Sequence, residues 1–329
     1  MPHSRTRRTR FLTLLAATAL AITACGGGGS SGGTGGGGSG GSLAPISLGG
    51  ATFKVGSKEF TEQLILGQIA TQALKAAGAN AGEPISIQGT TNVRAALTSG
   101  AIDMYWEYTG TGWTVHLKQE ASAAPKGSDA LYQQVAKDDK EQNKIIWLPP
   151  APANNAYSIA TAQGRGQELN ATNLSGYAEL VKSRPQDAKL CGAAEFLTRD
   201  DGLPGLEKAY GFDLPQENTV EVDLGVIYTQ IPTGEQCKFG EVFATDGRIA
   251  ANKLEIVTDD KNFFVPYNVA MTVRQDVFDK NPKLAEVFEP ISAKLTTEVL
   301  RSLNEKVDVG GELPEDVAAQ FLKDNGFIA

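Results

Sequence analysis

The apolar and polar positions divide the chain into three regimes. Arg5, Arg7, Arg8 and Arg10 precede an apolar run over residues 11–24, a charged flank and short greasy core that predict a secretory leader. Fourteen residues are too few to span a bilayer comfortably. Almost pure Gly and Ser then fill residues 26–42, which predicts a flexible tether with no core of its own. Only from Thr52 onward do β runs and helical stripes alternate.

The first β run, 52–55, leads into Gly56-Ser57-Lys58-Glu59-Phe60. Leu64, Ile65, Ile69, Ala73, Leu74 and Ala77 then recur at three- and four-residue spacing, and Gly78 stands where a helix terminates. Lys58 therefore falls at a strand-to-helix junction, with Glu59 and Glu62 early in the helix, where its dipole favours acids. Further along, the pattern predicts a β run at 84–87, a helix at 93–99, a strand from Ile102 and a polar helix at 129–143. Pro149, Pro150 and Pro152 break the next strand. Strands at 154–160 and 190–196, helices at 174–181 and 203–210, an acidic strand at 221–226 and a strand entering a turn at 240–249 follow. After an extended stretch at 259–268, residues 282–329 are largely helical. Strands alternating with helices indicate a mostly parallel α/β sheet, in which ligands bind beyond the carboxyl ends of strands.

Composition changes this picture in two ways. The 329 residues are 41% hydrophobic and 21% charged, an ordinary globular balance with room for two domains. Without residues 1–24 the chain carries 26 basic and 38 acidic residues, a formal charge of −12, which argues against nucleic acid as a partner. Cys25 follows Ile22-Thr23-Ala24 and resembles a lipobox, implying an acylated Cys that anchors the chain in membrane lipid. The pair left over, Cys191 and Cys237, is either a disulfide of an exported protein or two buried thiols. Neither has the spacing of a zinc or redox site, so no metal or cofactor is expected.

Aromatic residues carry the remaining signal. Tyr105, Trp106 and Tyr108 crowd the strand that ends in Thr109-Gly110-Thr111, and ring faces at a strand end attract a cation that has no N–H to donate. Core packing explains the same rings equally simply.

Five segments together resemble the substrate-binding lipoproteins of osmoprotectant ABC importers: Val55-Gly-Ser-Lys-Glu-Phe-Thr-Glu-Gln63, Glu107-Tyr-Thr-Gly-Thr111, Glu195-Phe-Leu-Thr-Arg-Asp-Asp-Gly-Leu-Pro-Gly205, Ala244-Thr-Asp-Gly-Arg-Ile249 and Phe263-Phe-Val-Pro-Tyr-Asn268. The resemblance implies a two-lobed α/β fold of the type II periplasmic-binding-protein kind, with two crossover hinge strands and ligand in the interlobe cleft. Lobe one is expected to take residues 51–154 and 266–329 and lobe two 155–265, after a leader at 1–24 and a lipidated tether at 25–50. The implied ligand is a quaternary ammonium solute such as glycine betaine, proline betaine, carnitine or choline. Its ammonium would sit in a cage of Tyr108, Tyr157, Phe243 and Tyr267, and its carboxylate would meet Lys58, Thr111 and Arg199. Phe243 departs from the family pattern, keeping the ring face of a Tyr without its hydroxyl. The implied partners are the permease subunits, and the implied location is extracytoplasmic, held at the cell membrane. The rival readings are an exported hydrolase and a ligand sensor on the same fold. Against the hydrolase, His116 is the one histidine beyond the leader, and no Gly-x-Ser-x-Gly elbow occurs beyond the Gly/Ser tract.

Overall fold

The computed structural model describes residues 41–329. The leader at 1–24, Cys25 and the tether up to residue 40 lie outside the described residues. The last ten positions expected to be tether behave differently. Backbone N–H groups of Ser42 and Leu43 donate to the carbonyls of Gly326 and Phe327 at 2.8 and 3.2 Å, and Leu43 and Leu48 are buried. These apolar side chains supply the burial that a pure Gly/Ser tract cannot, so the compact fold begins before residue 51. No helix among the described residues is long and apolar enough to cross a membrane.

Two sheets organise the fold. The first is three-stranded, with Val269–Arg274 between Met104–Tyr108 and Ile145–Trp147. Short parallel pairs, Thr52–Phe53 with Asn80–Ala81 and Gly56–Ser57 with Ile85–Ser86, lie beside it, linked through a bridge between Val55 and Met104. The second sheet has five strands in the order Leu254–Val257, Tyr157–Ala162, Phe239–Phe243, Leu190–Gly192, Thr219–Glu221. The expected mostly parallel sheet gives way to a mixed one. Tyr157–Ala162 and Val269–Arg274, the strands entered just after the chain passes between sheets, pair antiparallel with both of their neighbours. The two connecting segments run side by side, joined by an antiparallel bridge between Asn154 and Asn268.

The helix Thr61–Ala76 follows its sequence pattern. Ile65, Leu66, Ile69, Ala70, Ala73 and Leu74 form the buried face, Glu62 lies in the first turn and Lys75 in the last. Two elements depart from expectation. The strand at 190–196 stops at Gly192 and gives way to the helix Ala194–Thr198. The acidic stretch at 221–226 is the end of a strand and the start of the helix Leu224–Thr233, which carries Pro232 in its last turn.

Cys191 and Cys237 are joined by a disulfide that closes a 46-residue separation next to the parallel pairing of Leu190 with Phe239. In the chain-entropy account such a cross-link stabilises by about 4 kcal/mol. The double variant Cys191→Ser/Cys237→Ser is accordingly expected to melt well below the parent chain, and equal melting temperatures would rule out a stabilising cross-link.

Candidate functional site

Strand registry assembles the rings. Tyr157 and Phe243 are directly opposed on antiparallel neighbours, so both project from one face of the five-stranded sheet. Their centroids are 5.3 Å apart. Tyr267, in the second connecting segment, lies 5.7 Å from Tyr157. On the other side Phe60 is 5.4 Å from Phe243 and 6.3 Å from Tyr108, completing an arc of five rings. Gly110 has a specific role, since a Cβ there would stand 2.6 Å from the Tyr267 ring. Only a residue without a side chain lets that ring lie on the Thr109–Thr111 turn.

Two of the three phenol groups of the arc are committed to buried carboxylates, and the third, on Tyr157, accepts from Arg199 Nη1 at 3.5 Å. Tyr108 donates to Glu62 at 2.8 Å and Tyr267 donates to Asp201, which fixes the rings while leaving face area toward a cavity of about 970 Å³. Burial, with the neighbouring carboxylates adding to it, pushes both phenols up and keeps them protonated. Tyr105 and Trp106 lie in the core: Tyr105 donates to Glu107 at 2.8 Å, and Trp106 packs edge-on against Phe288 at 5.9 Å.

A polar group lines the same cavity beside the arc, with the Lys58 ammonium 5.3 Å from the Tyr108 ring centroid and the Arg199 guanidinium 5.5 Å from that of Tyr157. The buried Lys58 ammonium pairs with Glu107 at 2.8 Å and donates to the Thr90 hydroxyl at 3.0 Å. Burial pulls His116 below its ordinary value, so the ring meets Glu107 at 2.9 Å as a neutral hydrogen-bonding partner and Lys58 supplies the counter-charge. Burial would raise Glu107, but Lys58 and His116 outweigh it and hold the carboxyl ionised. Arg199 donates from Nε and Nη2 to the two Asp201 oxygens at 2.7 and 2.5 Å and from Nη1 to Glu195 at 2.8 Å. The Thr111 hydroxyl makes no hydrogen bond among the described residues, and Thr111 lines the cavity.

Glu62 ties distant segments together. Its carboxylate accepts from Tyr108 at 2.8 Å, Asn155 at 2.9 Å, Thr245 at 2.5 Å and Asn304 at 3.0 Å. Burial raises its pKa despite these four donors. Asn155 sits in the first connecting segment, and Thr245 follows the Phe239–Phe243 strand of the five-stranded sheet.

Glu241 lies two residues before Phe243 in that strand and so shares its face. It lines the cavity, is 1% exposed, and accepts one hydrogen bond, from the Ala193 N–H at 2.8 Å. Burial pushes its carboxyl up from 4.5 to about 8, with Glu195 adding to the rise and Arg199 opposing it. The folded chain therefore keeps a proton that the unfolded chain gives up, and stability falls as pH rises from about 4.5 toward about 8. The loss from this one group is on the order of 5 kcal/mol. Glu241→Gln, which removes the ionisation, is expected to match the parent near pH 5 and to exceed it in melting temperature at pH 9. Identical pH profiles for the two proteins would refute this.

All seven residues singled out from the sequence line one cavity: Tyr108, Tyr157, Phe243 and Tyr267 with Lys58, Thr111 and Arg199. Lys58 and Arg199 arrive there already paired with carboxylates. Phe60, Glu195 and Glu241 also line it and were not assigned from sequence. Phe60 and Glu195 stood inside motif segments, but nothing in the chain marked them as facing a ligand.

A family model described as the substrate binding domain of the ABC-type glycine betaine transport system matches residues 51–324. Glycine betaine-binding protein YehZ of Escherichia coli (strain K12) is 36% identical over 292 residues, 87% of this chain and 95% of that protein. A glycine-betaine-binding protein of Pseudomonas aeruginosa is 34% identical over 284 residues, covering 84% of this chain and 89% of its own length. The solved structure of apo YehZ aligns with a TM-score of 0.62 over 84% of this chain and 99% of that one.

Proposed function

From the premise that this chain belongs to the family of substrate-binding domains of ABC-type glycine betaine transport systems, we propose that its cleft holds the ammonium head of a quaternary ammonium solute against the arc of Tyr108, Phe60, Phe243, Tyr157 and Tyr267. The chain is the solute-binding component of an importer and not an enzyme. The observation that carries the ligand reading is the arc itself: five rings lining one cavity, with the hydroxyls of Tyr108 and Tyr267 turned to buried carboxylates. A trimethylammonium group has diffuse charge and no N–H, so ring faces satisfy it where water or a single carboxylate would do so less well.

In this reading Thr111 offers its hydroxyl to the ligand's tail, and Lys58 and Arg199 border that tail. The lobes comprise residues 51–154 with 266–329, to which residues 41–50 are packed, and 155–265. They close on the ligand about the paired connecting segments, and the closed form docks on the permease. The leader at 1–24 is removed, acylated Cys25 anchors the chain outside the cytoplasm, and the Gly/Ser tract gives it reach. No observation favours the hydrolase: His116 is buried against Glu107 and does not border the cavity.

The test is calorimetric titration with glycine betaine, proline betaine, carnitine, choline and free proline. Binding is expected for at least one quaternary ammonium compound, with affinity near micromolar, about −8 kcal/mol. Failure of all of them to bind would end the aromatic-cleft reading.

A further inference from the structure

Four polar residues of the C-terminal helix Thr297–Asp308 recur at three- and four-residue spacing: Arg301, Asn304, Glu305 and Asp308. That spacing puts them on one face, and a polar helix face ordinarily meets water. Here it meets protein. Arg301 Nη2 donates to the Ala244 carbonyl at 2.8 Å, and Asn304 Nδ2 to the Thr245 carbonyl at 3.1 Å. Arg248 Nε lies 3.4 Å from one Asp308 oxygen, and the other accepts from the Thr61 hydroxyl at 2.6 Å. The Thr245 hydroxyl completes this seam by donating to Glu62. In the lobe assignment proposed above, residues 244–248 belong to one lobe, and Thr61, Glu62 and the helix belong to the other.

Gly247 sits where the seam is tightest. Its backbone, at φ −66° and ψ −24°, is right-handed helical, a conformation open to every L-residue, so no turn geometry calls for glycine here. Space calls for it: a Cβ would stand 2.6 Å from Glu305 Cβ, 2.7 Å from its Cα and 2.8 Å from its backbone N. Two of those atoms belong to the helix backbone, which cannot swing aside as the end of a side chain can. Thr61 and Arg248 line the ligand cavity as well, so the seam runs along the flank of the cleft, and parting it parts the cleft walls.

We propose that Gly247 is a positioning residue for solute binding: by letting the 244–248 turn seat on the helix Thr297–Asp308, it sets how readily the lobes close and so how tightly the cleft holds its ligand. Protein meets protein at every contact of the seam, so it holds with the cleft filled or empty. It biases the lobes toward the closed arrangement, and observed affinity scales with the fraction of molecules in that arrangement. The ligand then supplies only the remainder of the bias. This role rests on the two-lobed receptor reading and deepens it, since Gly247 does not line the cavity and acts from beyond the ligand's reach.

The experiment compares the full parent chain with Gly247→Ala, Arg301→Ala and Gly82→Ala, by calorimetric titration with glycine betaine, proline betaine, carnitine and choline and by small-angle scattering without ligand and at saturation. Gly247→Ala is expected to bind about tenfold or more weakly, to show a larger radius of gyration than the parent without ligand, and to match the parent's radius at saturation. Damaged rings or a mere loss of stability would not give that convergence. Arg301→Ala removes one exposed contact and should weaken binding about threefold. Gly82 has nothing within 4 Å of a Cβ, so Gly82→Ala should bind like the parent. A folded Gly247→Ala protein with parent or tighter affinity overturns the proposal, as does weaker binding with an unchanged ligand-free radius. Should Gly247→Ala fail to fold, Arg301→Ala decides, and parent affinity with parent radius overturns the proposal. A parent that binds none of the four compounds removes the aromatic-cleft reading, while the ligand-free radii still decide whether the seam holds the lobes.

Discussion

Replacing Tyr157 with Ala is expected to lower affinity for a quaternary ammonium ligand by about two orders of magnitude, close to 3 kcal/mol. The ring stands at the crowded centre of the arc, with centroids of Phe196, Phe243, Tyr267 and Phe264 at 5.2, 5.3, 5.7 and 6.5 Å. Its removal deletes one cation–π face worth about 0.5–2 kcal/mol and leaves Phe243 and Tyr267 without the neighbour that holds their orientation. A stability loss also follows, since truncating a buried aromatic costs roughly 3–5 kcal/mol where the gap cannot close. Tyr157→Phe separates the two effects. It keeps the ring and gives up only a 3.5 Å contact with Arg199, so its affinity should stay within about threefold of the parent. Calorimetry with parallel melting curves decides the matter: a folded Ala variant with parent affinity would show that the ring is packing alone.

Glu62→Ala is expected to have the largest effect on the empty protein. Four donors converge on this carboxylate, and each one left unsatisfied in the interior costs about 1–3 kcal/mol. Water can enter the vacated space and recover part of this, so a net loss of about 4 kcal/mol or more is a reasonable expectation. Because Thr245 belongs with the five-stranded sheet and Glu62 with the helix Thr61–Ala76 beside the other, the variant should also hold its lobes less tightly together. Small-angle scattering should then report a larger radius of gyration, and melting should begin earlier. An unchanged radius together with an unchanged melting curve would remove Glu62 from that role.

Much of the site was legible in the chain because the rings lie in short segments at strand ends, where local sequence and position in the fold coincide. Tyr108 closes the Met104–Tyr108 strand, and Tyr267 precedes the Val269–Arg274 strand by two residues. What could not be read was how charges pair. Lys58 and Glu107 are 49 residues apart, and no local pattern assigns one to the other, so a lysine expected to serve a ligand is found already matched. Glu62 read as an acid favoured by a helix dipole, yet its partners come from positions 108, 155, 245 and 304. Phe60 is the extended residue just before the helix, so its direction depends on where the five-stranded sheet packs rather than on its own neighbours. Elements failed for a related reason: in residues 190–196 and 221–226 short apolar or mixed runs suit a strand and a helix start alike, and tertiary packing chose between them.

The two connecting segments are bound to each other as firmly as many strands are. Asn154 accepts from the Tyr267 N–H at 2.7 Å through its side-chain oxygen, and the Asn155 N–H donates to the Tyr267 carbonyl at 3.0 Å. Asn268 reaches back with its amide to the carbonyls of Ala151 and Ala153 at 3.2 and 3.0 Å. A pair fastened in this way behaves as one axle, and Tyr267 is mounted on it. In the proposed closure that ring would sweep through little distance, a fixed landmark around which the other rings gather. Observed affinity then equals the intrinsic grip of the rings multiplied by the fraction of molecules poised to close, and the stiffness of two asparagine-laced connectors becomes as much a determinant of how tightly solute is held as any residue that touches it.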